Sequence, residues 1–192
     1  MKRDVRNAIL EAGADLIHRQ GFHHTGLKDI LEAAKVPKGS FYFYFKSKED
    51  FGLALVEHFR ITMGQRAERT LLDPERPPLE RLAAFFTGAK EKFAALDCTA
   101  GCPIGNLAQE MSDLSPDMRQ AVDASLRRMT QRLALVIAEA RGLGQIAPDS
   151  DPESLAAFIL DAWEGAMIRM KAEKSVEPLV RFEHYVFNCL LR

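Results

Sequence analysis

The chain has 192 residues, of which 47% are hydrophobic and 28% charged, a composition typical of a globular protein that can bury a substantial core. Its 26 basic and 27 acidic residues give a net charge of −1, which excludes a polybasic coat and confines any nucleic-acid site to a local patch. The three cysteines (Cys98, Cys102 and Cys189) are odd in number and lack CxxC or CxxH spacing. This pattern argues against a disulfide framework or a structural zinc site and favours a reducing compartment.

The sequence also gives expectations for the cellular location of the protein and for metals and cofactors. No apolar run reaches the ~18 residues that a membrane-spanning helix needs, so no membrane association is expected. Asp4, Glu11 and Asp15 make the first residues unlike a secretory signal peptide. We therefore expect a cytoplasmic protein that holds no metal and no cofactor.

Apolar residues recur at helical spacing almost throughout the chain, and strand signals are nearly absent. The first predicted helix has one apolar face and ends at Gly21. The residues of that face are Val5, Ala8, Ile9, Ala12, Leu16 and Ile17. Thr25 is the expected N-cap of a second short helix, which Lys35-Val36-Pro37 ends. A third short helix is predicted over residues 38–45.

A long fourth helix is predicted to open at Ser47, where Ser47-Lys48-Glu49-Asp50 resembles a capping box, and to end before Asp73-Pro74. Further helices are expected over residues 78–96, 103–113, 116–142, 152–173 and 176–191. Ser115 is the predicted cap of the longest of these. The sequence therefore predicts an all-α protein of about nine helices: three short ones, a long connector and a bundle.

A small basic patch lies around the third helix. The window from Lys35 to Lys48 holds four lysines and no acidic residue. At about 100° per residue, Phe41 and Phe45 share the buried side of this helix. The opposite side carries Gly39, Ser40 and Phe43, flanked by Tyr42 and Tyr44. Such a face suits base edges, the lysines beyond it suit phosphates, and the two short helices form a helix-turn-helix. The alternative is a solvated basic loop and helix.

The segment from Thr25 to Glu49 resembles the DNA-binding signature of the TetR family of transcriptional repressors, and the likeness covers about residues 3–55. The resemblance implies a homodimer that binds a palindromic operator and is released by a small-molecule effector. It implies a helix-turn-helix domain over residues 1–47 and an effector-binding and dimerisation domain over residues 48–192. Pro37 stands where the family more often has serine.

The resemblance also assigns roles to single residues of the first domain. Three positions correspond to phosphate contacts: Thr25, Tyr44 and Lys48. Five correspond to residues that face the bases: Lys38, Gly39, Ser40, Tyr42 and Phe43.

Cys102 opens the predicted helix over residues 103–113. Because Pro103 is favoured at the first helical position, Cys102 becomes the N-cap, where the helix dipole stabilises a thiolate. We expect the neighbouring glycines to leave the sulfur accessible, with Cys98 as a candidate resolving thiol. The alternative is a small buried residue in a tight turn.

The stretch Gly101-Cys102-Pro103-Ile104-Gly105-Asn106-Leu107-Ala108-Gln109-Glu110 is similar to a TetR subgroup whose members respond to quinones, aldehydes, maleimides and acrylate-like compounds. The sequences around Leu114 and Trp163 share this likeness. The resemblance places Cys102 and Lys171 at the effector site, where the lysine would stabilise a thiolate. A noncovalent apolar ligand remains an alternative.

Apolar side chains of the second domain allow two further predictions. Trp163, Met167, Phe93 and Met111 are candidates to line an effector cavity, together with Phe85, Phe86 and Met170, although each also suits a plain core. The last two helices have apolar arcs wide enough to bury two sides, which predicts a homodimer through a four-helix bundle.

Two other classes of protein compete with a DNA-binding regulator. A thiol-dependent enzyme would use Cys102 with His58 or His184, but the sequence offers no phosphate loop, metal cluster or Ser/His/Asp arrangement. A helical interaction scaffold leaves the pattern from Lys38 to Lys48 unexplained. We therefore expect a regulator and not an enzyme, with the operator, the effector and the sign of regulation left open.

Overall fold

The computed structural model describes residues 4–192; residues 1–3, which the predicted DNA-binding domain includes, lie outside the described part. Within that part the chain forms nine α-helices and one π-helical turn and has no strand, which confirms the predicted fold class. The elements are α1 (Val5–Gln20), α2 (Leu27–Ala34), α3 (Ser40–Tyr44), α4 (Lys48–Leu71), α5 (Pro78–Ala94), α6 (Pro103–Met111), α7 (Pro116–Gly142), α8 (Pro152–Glu173), α9 (Glu177–Tyr185) and the π-helical turn Val186–Leu190.

The chain divides into two compact units. The first contains the residues up to Thr62 together with Cys102–Ser125, and the second contains Met63–Gly101 with Leu126–Arg192. The short helix α6 therefore belongs to the same unit as α1, α2 and α3. The functional boundary expected between residues 47 and 48 stays a prediction.

A cluster of aromatic side chains forms the core of the first unit. The rings of Phe41, Phe45 and Phe51 lie 5.1–5.5 Å apart, and all three side chains are buried. Gly13 of α1 lies directly against the Phe51 ring. Helix α3 is therefore anchored by its Phe41 side, and its opposite side remains available.

We expect Gly13→Ala to lower the free energy of unfolding by about 1–3 kcal/mol, as overpacking of a core does. A Cβ at this position would lie 2.3 Å from Cζ of Phe51, which has no free space into which to move. Denaturant unfolding measures the effect. Gly142→Ala is the matched control, because a Cβ there meets no atom within 4 Å. Equal stability of wild type and Gly13→Ala would contradict this packing.

The start of α4 at Ser47 agrees with the sequence prediction, whereas the start of α2 near Thr25 differs from it. Ser47 Oγ accepts a hydrogen bond from Asp50 N at 3.0 Å, and Asp50 Oδ2 accepts one from Lys46 N at 2.8 Å, so Ser47 caps α4 in an arrangement that resembles a capping box, with the return bond one residue earlier. Thr25 is not the N-cap of α2: that position is Gly26. The Thr25 hydroxyl instead donates to Gly21 O at 2.6 Å, which ties it to the end of α1.

Helix α3 is shorter than predicted, since residues 38 and 39 form a turn before it. The last helix also differs: the regular α-helix ends at Tyr185, and Val186–Leu190 continues as a π-helical turn.

Phe86 lies at the centre of the second unit's core. Its ring centroid is 4.9 Å from that of Trp163 and 5.0 Å from that of Phe182. Lys90 of α5 and Glu183 of α9 form an ion pair beside this cluster. Helices α5, α8 and α9 are thus joined by aromatic and charged contacts. Within residues 4–192, no helix is both long enough and apolar enough to cross a bilayer.

Candidate DNA-reading surface and thiol site

The outer face of α3 has the composition that the sequence predicts. Phe41 is completely buried, whereas Phe43 is 82% exposed and Tyr42 is 67% exposed. The Tyr44 ring is half-buried and stands edge-on against Phe43, with 4.9 Å between ring centroids. The Tyr42 ring touches the buried Phe41 ring edge-on, with 5.4 Å between centroids, yet most of its surface and that of Phe43 is exposed and available to another molecule.

The residues that precede α3 leave room for a close approach. Lys38 and Gly39 are exposed, and Ser40 is half-buried. A Cβ added to Gly39 would meet no atom within 4 Å, so the protein's own side chains do not cover the backbone there. The expected base-facing residues therefore form one continuous exposed face.

Two expected phosphate ligands are engaged within the protein. Thr25 is completely buried, and its hydroxyl bonds to Gly21 and accepts from Gln20 Nε2. The ammonium of Lys48 lies 3.5 Å from His23 O and 4.8 Å from the centroid of the Phe22 ring. Burial lowers the pKa of Lys48, and the charge of Glu110 acts in the opposite direction. Phosphate contacts by these residues remain predictions.

Glu110 is a contact residue that the sequence does not indicate. Its two carboxylate oxygens accept hydrogen bonds from Phe22 N at 3.1 Å and His23 N at 3.0 Å. These partners lie 88 and 87 residues earlier in the chain and are backbone groups, so no side-chain pattern reveals the pairing. The one local signal is Gly21, the glycine that ends α1 with a positive φ of 87°.

Cys102 is the N-cap of α6, as predicted. Its backbone is extended (φ −72°, ψ 119°), and its Sγ accepts a hydrogen bond from Gly105 N at 3.4 Å. The expected accessibility of the sulfur is wrong: Cys102 is only 8% exposed. Modification of this thiol therefore requires a local opening or a small reagent.

The other expected effector residues are divided between the two units. Phe93, Trp163 and Met167 are buried in the second unit, with 6.4 Å between the ring centroids of Phe93 and Trp163. Lys171 is half-buried in the last turn of α8. Met111 is buried at the end of α6 in the first unit. A shared effector site for these residues remains a prediction.

Helices α8 and α9 form an apolar groove of about 500 Å³ on the second unit. Phe158 is 59% exposed and Tyr185 is 60% exposed there. The lining residues are Phe158, Ala162, Gly165, Ala166, Arg169, Pro178, Arg181, Phe182, Tyr185, Val186, Cys189 and Leu190. Phe182 is only 7% exposed, since its ring packs on Phe86 and Trp163.

Comparison with known families gives two matches. Residues 9–55 match the model of the bacterial regulatory proteins of the tetR family. Residues 78–186 match the tetracyclin repressor-like C-terminal domain.

Several curated proteins resemble the chain over nearly its full length. The transcriptional regulator AcuR of Cereibacter sphaeroides is 39% identical, over 93% of this chain and 81% of AcuR. The transcriptional repressor DhaR of Mycobacterium sp. strain GP1 is 35% identical, over 97% of this chain and 92% of DhaR. The transcriptional repressor NemR of Escherichia coli K12 is 32% identical, over 98% of this chain and 95% of NemR.

Solved structures show the same fold. A regulatory protein TetR from Rhodobacter sphaeroides has a TM-score of 0.89 at 38% identity, covering 94% of this chain and 95% of that one. The reduced form of E. coli NemR has a TM-score of 0.87 at 33% identity, covering 97% of each chain.

Proposed function

The chain belongs to the TetR family of transcriptional regulators, and from that premise we propose that α3 reads a palindromic operator while a reactive electrophile at Cys102 controls release. DNA-binding transcriptional regulation of the repressor type is the function of the family. A bacterial regulator of this kind acts in the cytoplasm, where the DNA is.

The exposed face of α3 carries the proposal for DNA reading. Phe43 and Tyr42 are the large exposed side chains of this helix, and α3 is the second helix of the helix-turn-helix. Exposed aromatic and small side chains suit base edges and the thymine methyl group. Lys38, Gly39 and Ser40 extend this face at its start, and Tyr44 flanks it.

We expect Tyr42→Ala and Lys48→Ala to weaken DNA binding in different ways. Loss of Tyr42 should reduce discrimination between the operator and a random duplex, because that side chain flanks the base-facing side. Loss of Lys48 should weaken binding to both duplexes and reduce the salt slope of log K by about 1, since one phosphate contact is lost.

Binding isotherms over a salt series, with the promoter DNA of the protein's own gene, measure both effects. Lys92→Ala is the matched control, because Lys92 is an exposed lysine of the second unit. Full operator affinity in both variants would mean that α3 is not the reading helix. An unchanged salt slope in Lys48→Ala would mean that Lys48 makes no phosphate contact.

A second copy of the chain is the proposed occupant of the α8–α9 groove. Gly165 and its alanine neighbours permit close approach of helix backbones, and the exposed rings of Phe158 and Tyr185 supply apolar area. A two-fold axis through these helices gives the four-helix bundle that the sequence predicts. The same symmetry presents two copies of α3 to a palindrome.

Three observations support Cys102 as the sensor. Its sulfur stands at the N-terminus of α6 and accepts the Gly105 N–H, so a thiolate is stabilised there. Helix α6 shares a compact unit with the helix-turn-helix. The chain also resembles NemR, a repressor solved in a reduced form. Lys171, Trp163, Met167, Phe93 and Met111 are the proposed further residues of the effector site.

A further inference from the structure

A carboxylate of α6 holds the turn between α1 and α2. Phe22 N donates to Glu110 Oε1 at 3.1 Å, and His23 N donates to Oε2 at 3.0 Å. Two successive backbone N–H groups directed at one anion form a concave anion-binding site. Hydrogen bonds to a charged acceptor are also stronger than neutral ones. Glu110 therefore acts as the built-in anion of this turn.

Gly21 makes this arrangement possible. Its backbone (φ 87°, ψ 165°) lies in a region that is essentially restricted to glycine. A Cβ there would also lie 2.7 Å from Glu110 Oε1. Any side chain at position 21 would thus strain the turn and displace the carboxylate. The turn and the carboxylate fit each other only with glycine between them.

Lys48 also contacts Phe22 and His23, the two residues whose N–H groups bind Glu110. Its ammonium donates to His23 O at 3.5 Å and lies over the Phe22 ring. Lys48 is the first residue of α4, whereas Glu110 stands near the end of α6. Removal of Glu110 takes away both the partner of the N–H groups and the negative charge near Lys48. One carboxylate thus serves both the turn and an expected phosphate ligand, beside other bonds of the turn such as Thr25 Oγ1 to Gly21 O and the His23 ring to Glu110 O.

The helix that carries Glu110 begins at the proposed sensor. Cys102 is the N-cap of α6, and the helix has nine residues. At about 1.5 Å of rise per residue, Glu110 lies about 12 Å along the helix from Cys102. Hydrogen bonds near 3.0 Å weaken steeply when donor and acceptor separate or tilt. A displacement of α6 that reaches Glu110 therefore weakens its contacts with Phe22 N and His23 N.

We propose that Glu110 is a positioning residue for operator binding: it holds the α1–α2 turn and Lys48 in their DNA-reading arrangement while α6 keeps its place. The link to effector release rests on the proposed function, since it takes Cys102 as the point where the signal enters. The positioning role itself rests only on contacts within the first unit.

The first experiment compares Glu110→Ala with Asp113→Ala in the full-length protein. Asp113 is an exposed acidic residue just beyond α6 and serves as the charge-matched control. Amide hydrogen exchange is measured residue by residue, and operator affinity is measured on a duplex selected in vitro with the wild-type protein. We expect Glu110→Ala to accelerate exchange at Phe22 and His23 about tenfold and to weaken operator binding about tenfold.

A folded Glu110→Ala protein with unchanged exchange and affinity would overturn the positioning role. If Glu110→Ala fails to fold, Glu110→Gln takes its place. The glutamine keeps the length of the side chain and one acceptor oxygen, so we expect it to lose less protection and less affinity. A glutamine variant equal to wild type in both measurements would equally overturn the role.

The second experiment separates the positioning role from the proposed function. Operator affinity is measured for wild type and Glu110→Ala before and after treatment with 1,4-benzoquinone. We expect the quinone to weaken wild-type binding by a larger factor than it weakens the variant. If the quinone weakens operator binding of wild type and Glu110→Ala by the same factor, the role of Glu110 in release is overturned, whereas sensing at Cys102 still stands. If the quinone leaves wild-type binding unchanged, the proposed effector is wrong, and the first experiment alone decides the role of Glu110.

Discussion

A single charge in the α8–α9 groove should convert the protein from a dimer into a monomer. Phe158→Glu is the variant of choice, because this side chain is 59% exposed and lines the groove without serving the core. Burying an unpaired carboxylate against a second copy of the chain carries a large desolvation penalty. Light scattering should show a monomer at low micromolar concentration.

Loss of the dimer should also abolish tight operator binding. A dimer engages the second half-site at a high effective concentration, and this gain amounts to about 10²–10⁴-fold in affinity. We expect Phe158→Glu to lose a factor in that range while keeping its helical content. Leu135→Glu is the control, since Leu135 is 67% exposed and lies outside the residues that line the groove. A Phe158→Glu protein that remains dimeric would refute this interface.

Phe182 shows why the sequence alone does not identify the right residue for a test of the dimer interface. Its position on an apolar arc of the last helix suggests that a charge there dissociates the dimer. The ring instead packs between Phe86 and Trp163 and is 7% exposed. A charge at Phe182 should therefore unfold the second unit. Periodicity identifies both apolar arcs of a helix, but it does not distinguish the arc that faces the core from the arc that faces a partner.

The face of α3 was predictable because it depends only on local geometry. With about 100° per residue, burial of Phe41 determines where Tyr42 and Phe43 point, and no distant contact alters this. The cap at Ser47 was predictable for the same reason, since its hydrogen-bond partners are three and four residues apart. The Thr25 prediction was wrong because the hydroxyl donates to Gly21 O at the end of α1 and accepts from Gln20 Nε2, instead of accepting from an N–H group of α2.

Contacts between residues far apart in sequence escaped prediction. Glu110 bonds to backbone N–H groups 87 and 88 residues earlier, and every residue except proline carries such a group. The burial of Cys102 has a similar origin, since Gly101 and Pro103 describe its backbone and not what covers its sulfur. Tertiary packing decides both features, and a single sequence records neither.

Replacement of Cys102 should remove the response to electrophiles. In the proposed reaction, the thiolate of Cys102 adds to the β-carbon of an α,β-unsaturated aldehyde such as acrolein and forms a C–S bond. The electron pair of the C=C bond moves to the carbonyl, the resulting enolate takes a proton from water, and the thiol proton leaves to solvent. No oxidant is needed. The product is a bulky thioether where a small N-cap stood.

The structure explains why this change should matter for DNA binding. The Cys102 sulfur accepts the Gly105 N–H, and the residue is 8% exposed, so we expect an added group at this buried cap to disturb that bond and the start of α6. A bias of a few kcal/mol between two conformations then changes operator occupancy by more than tenfold.

The measurement is operator release by acrolein in wild type and in Cys102→Ser. Serine keeps an N-cap oxygen and the size of the side chain, so the unmodified variant should bind the operator like wild type. We expect acrolein to release wild type and to leave Cys102→Ser bound. Cys189→Ser is the companion variant, because Cys189 is an exposed thiol that lines the α8–α9 groove, so it separates release through that groove from release through Cys102. Equal release of wild type and Cys102→Ser would reject covalent sensing at Cys102, and equal release of the Cys102→Ser/Cys189→Ser double variant would favour a noncovalent apolar ligand.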